Sequence, residues 1–136
     1  MAEIFLISLL RERVPTTPAI VYKGQTMTVG ELLRESEQLA AGLQKLGIKH
    51  GDTAVLAAMP DAGFIKIVYA AMICGLRLAV IDPEMGRDNY RENCANCNPA
   101  GLLWMPGCYF CRSILYCVGL ISGGHARVFI SRKRLV

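Results

Sequence analysis

The sequence predicts an α/β fold in which short parallel strands are joined by helices. Three observations carry that expectation: a capped amphipathic helix between Thr28 and Gly47, a strand–helix–strand pattern from Thr53 to Ile81, and the continuous apolar character of both strands in that pattern. Strands that alternate apolar and polar residues have one wet face, whereas unbroken apolar runs belong to parallel sheets covered on both sides. With 136 residues, 53% hydrophobic and 19% charged, the chain can bury one core and is too apolar to be intrinsically disordered.

Taken from the N-terminus, Ile4, Ile7, Leu10 and Val14 recur at helical spacing before Pro15 and Pro18, which predicts a short amphipathic helix. Next, Ala19 to Tyr22 and Gln25 to Thr28 flank Lys23 and Gly24, a turn signal between two β-prone runs and hence a hairpin. Thr28 and Glu31 have the spacing of a capping box, in which each side chain satisfies a backbone N–H at the helix start, and Met27 and Leu32 suit the accompanying hydrophobic staple. Leu32, Ser36, Leu39, Leu43 and Leu46 then form one stripe, with Arg34, Glu35, Glu37 and Lys45 on other faces. Gly47 is expected to end this helix in the left-handed conformation and to lead into the polar connection Ile48-Lys49-His50-Gly51-Asp52.

Thr53 to Met59 reads as a buried strand, with Asp61 placed to cap the helix that follows. Phe64 to Cys74 carries Lys66 as its one charge, so this helix is expected to be buried nearly all round, and Gly75 stops it. Leu78 to Ile81 completes a βαβ unit, whose crossover is expected to be right-handed. Beyond Asp82-Pro83, the polar stretch Arg87 to Asn96 suits a helix, and Leu102 to Trp104 suits a strand after the breakers Asn98, Pro99 and Gly101. After Trp104 the sequence mixes breakers, cysteines and short β-prone runs without a sustained period.

A mean hydropathy of +0.35 requires a membrane reading to be tested. A spanning helix needs about 20 clean apolar residues. Phe64 to Ile81 is interrupted by Lys66, Gly75 and Arg77, and Leu102 to Ile121 contains Pro106, Gly107 and Arg112, so neither stretch is expected to span. The opening MAEIFLISLLRER has too short an apolar run and no basic start for a signal peptide, which makes a cytoplasmic protein with reduced cysteines the expectation. The net charge of +4 gathers in part at Arg127, Arg132, Lys133 and Arg134, a pattern of a solvated basic tail, so no nucleic-acid partner is expected. The same tail and the apolar excess leave peripheral membrane-surface association open.

The ordered features from Pro18 to Pro83 resemble the opening of the adenylate-forming, AMP-binding superfamily, which includes acyl-CoA synthetases and peptide-synthetase adenylation domains. The resemblance rests on the hairpin ending in Thr28, the capped helix closing on AAGLQKLGI, the Lys49-x-Gly51-Asp52 turn, the buried strand, the apolar helix closing on Cys74-Gly75, and the strand ending in Asp82-Pro83. Within the superfamily DPEMGRDNY is most like fatty-acyl-activating members. The implied fold is an incomplete N-terminal portion of the large domain of AMP-dependent synthetases and ligases, with βαβ units and a mostly parallel sheet. Residues 1–104 form that partial domain in this reading, and residues 105–136 form a divergent, Cys-rich, basic tail. The tail suggests a broken reading frame or an alternative end, or else a short closing element for a truncated sheet. An incomplete sheet is expected to leave an open edge that a protein partner would cover.

Family members activate a carboxylic acid with ATP to an acyl adenylate, releasing pyrophosphate, and then usually transfer the acyl group to a thiol such as coenzyme A. ATP, magnesium, coenzyme A and a carboxylic acid, fatty in the acyl-CoA branch, are thus implied for a full-length member. The family's Ser/Thr/Gly-rich phosphate loop ending in lysine has no counterpart in this sequence. Ser122-Gly123-Gly124 comes nearest but lacks the flanking threonines, proline and lysine, and reads as an ordinary turn. No catalytic or cofactor-binding residue of the family carries over, so this chain is expected to be scaffold and inactive alone.

Cys94-x2-Cys97 and Cys108-x2-Cys111 have the pairing of a four-cysteine zinc site, the one metal-ligating set the sequence offers, with Cys74 and Cys117 left over. The resemblance places Cys94 and Cys97 in a helix rather than in a knuckle turn, which favours buried or incidental thiols. His50 in the Lys49-x-Gly51-Asp52 turn and the distant His125 are read as solvated loop residues. Asp52 is read as an acceptor of backbone hydrogen bonds, and Asp82 as a turn initiator at the carboxyl end of a strand, where α/β proteins often place functional groups.

Overall fold

A computed structural model describes residues 5–57, 61–82, 101–104, 119–123 and 126–131, together with Asp88, Asn89 and Glu92. The helix α1 (Phe5–Glu12) is followed by β1 (Pro18–Tyr22) and β2 (Gln25–Thr28), which pair antiparallel. Lys23 and Gly24 both take positive φ, 49° and 76°, as a two-residue hairpin turn with a compatible twist requires. α1 stops at Glu12, short of the stripe read to Val14, because Pro15 pushes the residue before it out of the helical region. Ile7 is buried, while Val14 is exposed.

α2 (Val29–Lys45) begins on the expected capping box: Glu31 N–H donates to Thr28 Oγ1 at 3.3 Å, and Thr28 N–H donates to Glu31 Oε2 at 2.9 Å. The orphan donors of its first turn find further acceptors in the proline loop, Val29 N–H on the Thr17 carbonyl at 2.9 Å and Gly30 N–H on the Pro15 carbonyl at 3.0 Å. At the far end Gly47 N–H donates to the Gln44 carbonyl and Ile48 N–H to the Leu43 carbonyl, with Gly47 at φ 83°. This is the Schellman arrangement, in which a residue free of Cβ takes the left-handed position. Leu32, Ser36, Leu39 and Leu43 are buried along the expected stripe, and Leu46 packs at its margin.

β3 (Thr53–Ala57), α3 (Ala62–Cys74) and β4 (Arg77–Ile81) form the expected βαβ unit, with β3 and β4 parallel in register from Thr53↔Arg77 to Ala57↔Ile81. Asp61 caps α3 by accepting from Phe64 N–H at 3.0 Å. Gly75, at φ 68°, closes α3 with a second Schellman pair, Gly75 N–H to the Met72 carbonyl and Leu76 N–H to the Ala71 carbonyl. The apolar stretch from Phe64 to Ile81 thus splits into a helix and a strand. Among the described residues no helix is long and apolar enough to cross a membrane.

The main sheet runs β4-β3-β5-β7-β6, with β5 (Gly101–Trp104) parallel to β3. The tail contributes β6 (Gly119–Gly123) and β7 (Ala126–Ser131), an antiparallel hairpin whose β7 pairs antiparallel with β5. The sheet is therefore mixed, three parallel strands continued by a hairpin, and its edges among the described residues are β4 and β6. The core joins Leu39, Leu43, Ile48, Leu56 and Ile67, sealing α2 and α3 against β3. Of the polar stretch 87–96, only Asp88, Asn89 and Glu92 are described, each helical.

Candidate functional site

In an α/β sheet, ligands gather at the carboxyl ends of the parallel strands. The register aligns those ends here: Ala57 pairs with Ile81 on one side and with Trp104 on the other. Ile81 is buried and Asp82, directly after it, is exposed. Residues 58–60 and 83–87, which follow β3 and β4, lie outside the described residues. Asp82 belongs to this edge together with Asp61, which starts the helix after β3, and Arg127, two positions before the Phe129 that pairs with Trp104.

The turn around Asp52 lies at the opposite, amino end of the strands. Asp52 Oδ2 accepts from Lys49 N–H at 2.8 Å, the role expected for it, and its carbonyl accepts from Arg77 N–H at 2.9 Å. Gly51 N–H donates to the Gly75 carbonyl at 2.9 Å, so the connection after α2 is tied to the connection after α3. The His50 ring covers Gly75, and a Cβ added there would stand 2.1 Å from His50 Cδ2. His50 is exposed in the turn, as expected, with its ring edge lying over Gly75. His125 lies outside the described residues.

Of the phosphate-loop candidate, Ser122 and Gly123 lie in β6, where Ser122 pairs with Arg127 and Gly123 with Ala126, and Gly124 lies outside the described residues.

Cys94, Cys97, Cys108 and Cys111 lie outside the described residues, as does Cys117. Among the described residues no group of three or more His, Cys, Asp or Glu side chains is placed to hold a metal ion. Cys74 is buried, its Sγ is 3.5 Å from the Ala40 carbonyl oxygen, and burial pushes its thiol pKa up, the opposite of what a nucleophilic thiolate needs.

One polar feature was missed by sequence reasoning. Lys66 Nζ on α3 forms an ion pair with Glu35 Oε2 on α2, with side-chain exposures of 4% and 13%. Glu35 thus leaves the solvated face to which helical periodicity assigns it. Lys66 is a lone charge on an apolar helix, which was the available signal, but the sequence does not say which acid would meet it. Ser36, on the same helix, is fully buried and its Oγ has no hydrogen-bond partner among the described residues.

An open groove of about 320 Å³ lies between α1, β1 and the neighbouring faces of α2 and α3. Leu6, Leu9, Ile20, Ile65 and Tyr69 line it, with Arg13 as its one charged residue. None of its walls comes from β3, β4 or β5, so it is separate from the carboxyl edge of the parallel strands.

A βαβ unit led by a capped helix and continued into a mixed five-stranded sheet defines an α/β domain. The model of the AMP-binding enzyme family matches residues 10–126, and the chain belongs to that family. It is 28% identical over 79 residues to 2-succinylbenzoate–CoA ligase of Bacillus subtilis (strain 168), covering 56% of this chain and 16% of the ligase. It is 30% identical over 115 residues to tyrocidine synthase 3 of Brevibacillus parabrevis, covering 82% of this chain and 2% of that protein. Among solved structures, VinN in complex with 3-methylaspartate superposes with a TM-score of 0.67 at 22% identity, covering 72% of this chain and 27% of VinN. The O-succinylbenzoate coenzyme A synthetase of Bacillus subtilis in complex with AMP gives a TM-score of 0.69 at 21% identity, covering 74% of this chain and 26% of that one. The chain therefore spans about a sixth of the curated ligase and about a quarter of these solved chains.

Proposed function

We propose that this chain is the N-terminal scaffold of an ATP-dependent carboxylate-activating ligase and does not catalyse adenylation by itself. The full reaction joins a carboxylate to the α-phosphate of ATP, releases pyrophosphate, and then passes the acyl group to a thiol, with coenzyme A as the proposed acceptor and a fatty acid as one candidate substrate. The relatives support the reaction class but not one acceptor, since coenzyme A ligases and peptide synthetases both match. The observation that carries the scaffold reading is the family match over residues 10–126 in a chain whose nearest phosphate-loop candidate is a hairpin end. In this reading 1–104 is the domain portion, 105–136 is the divergent tail, and ATP, magnesium and coenzyme A are held by parts of a full-length member other than the residues described.

Carboxylate-dependent exchange of labelled pyrophosphate into ATP tests the proposal on the purified chain, with succinylbenzoate, aspartate and fatty acids of several lengths. No exchange above the acid-free control is expected; exchange with any of these acids overturns the inactive-scaffold reading. Reading the encoding nucleotide sequence in all three forward frames beyond the Trp104 codon tests the origin of the tail. A Ser/Thr/Gly-rich loop ending in lysine in another frame supports an interrupted ligase, and its absence from all frames favours a tail that closes the sheet.

A further inference from the structure

We draw no further inference here: the strongest candidate, the open apolar groove between α1, the β1–β2 hairpin and the neighbouring faces of α2 and α3, carries no proposal because nothing in the structure shows what covers it.

Discussion

Replacing Lys66 by methionine is expected to cost the chain about 3 kcal/mol of stability, the lower part of the range for breaking a buried ion pair. Methionine keeps a long unbranched side chain in the space between α2 and α3, so the change removes the ammonium with little loss of volume. Glu35 is then left as a carboxylate with 13% of its side chain exposed. That residual contact with water places the cost near the bottom of the range. Glu35→Leu removes the other partner and strands an ammonium only 4% exposed, so it should cost more than Lys66→Met. The double variant Glu35→Leu/Lys66→Met leaves no charge behind and should recover most of the loss, or exceed the parent, because two charges no longer need to be desolvated. Urea unfolding of the full chain reads the effect. With a slope of about 1.5–2 kcal/mol per molar, Lys66→Met should lower the midpoint by about 1.5–2 M. If either single change leaves too little folded chain to measure, recovery in the double variant still reports the pair. A cost below about 1 kcal/mol for Lys66→Met, with no recovery on adding Glu35→Leu, would refute a desolvated pair and imply a water-screened one.

Three further outcomes follow from particular side chains. Gly75→Ala should destabilise by more than the roughly 1 kcal/mol of a strained left-handed residue, because its Cβ meets the His50 ring; in a His50→Ala background the penalty should fall to about that value, and an unchanged penalty in both backgrounds would show that the ring does not cover the glycine. Ser36→Ala removes a fully buried hydroxyl without a partner and adds a better helix former, so urea midpoints should be unchanged or higher by up to about 1 kcal/mol of stability; a loss above about 1 kcal/mol would mean the hydroxyl is bonded. Burial raises the Cys74 thiol pKa in the folded chain, so the folded state holds its proton more tightly and this group's contribution to stability falls as pH rises above the thiol's ordinary pKa. Peptide mapping after brief iodoacetamide treatment at pH 8 should find Cys74 unmodified in the folded chain and modified in urea, and rapid labelling without urea would contradict its burial.

The elements legible in the sequence are those fixed by local chemistry. Thr28 and Glu31 announce a helix start because both halves of the reciprocal hydrogen bond lie within one turn. Gly47 and Gly75 announce helix ends because the left-handed residue of a Schellman motif disfavours a Cβ. The Lys23-Gly24 turn and the unbroken apolar run of β3 are local in the same sense. What escaped the sequence depends on partners distant along the chain. Lys66 and Glu35 meet only because α2 and α3 pack together, and His50 reaches Gly75 only because Gly51 and Arg77 tie the two connections together. β6 and β7 were illegible for a related reason: short β-prone runs with no period acquire a register only from the neighbour they pair with, here β5.

The same division separates scaffold from chemistry. Residues 28–81 hold two Schellman helix ends, two N-caps, a buried ion pair and a parallel strand pair, each serving to fix α2 and α3 on β3 and β4. The carboxyl edge that this framework presents includes Asp61, Asp82 and Arg127 among the described residues. A fold can persist without a reaction centre because burial and backbone hydrogen bonding set its stability, whereas phosphate binding needs donors converging on one point. Family membership accordingly assigns the framework, whereas activity has to be argued from the site. Pyrophosphate exchange by the unaltered chain would overturn the proposed scaffold reading, and no exchange is the expected outcome.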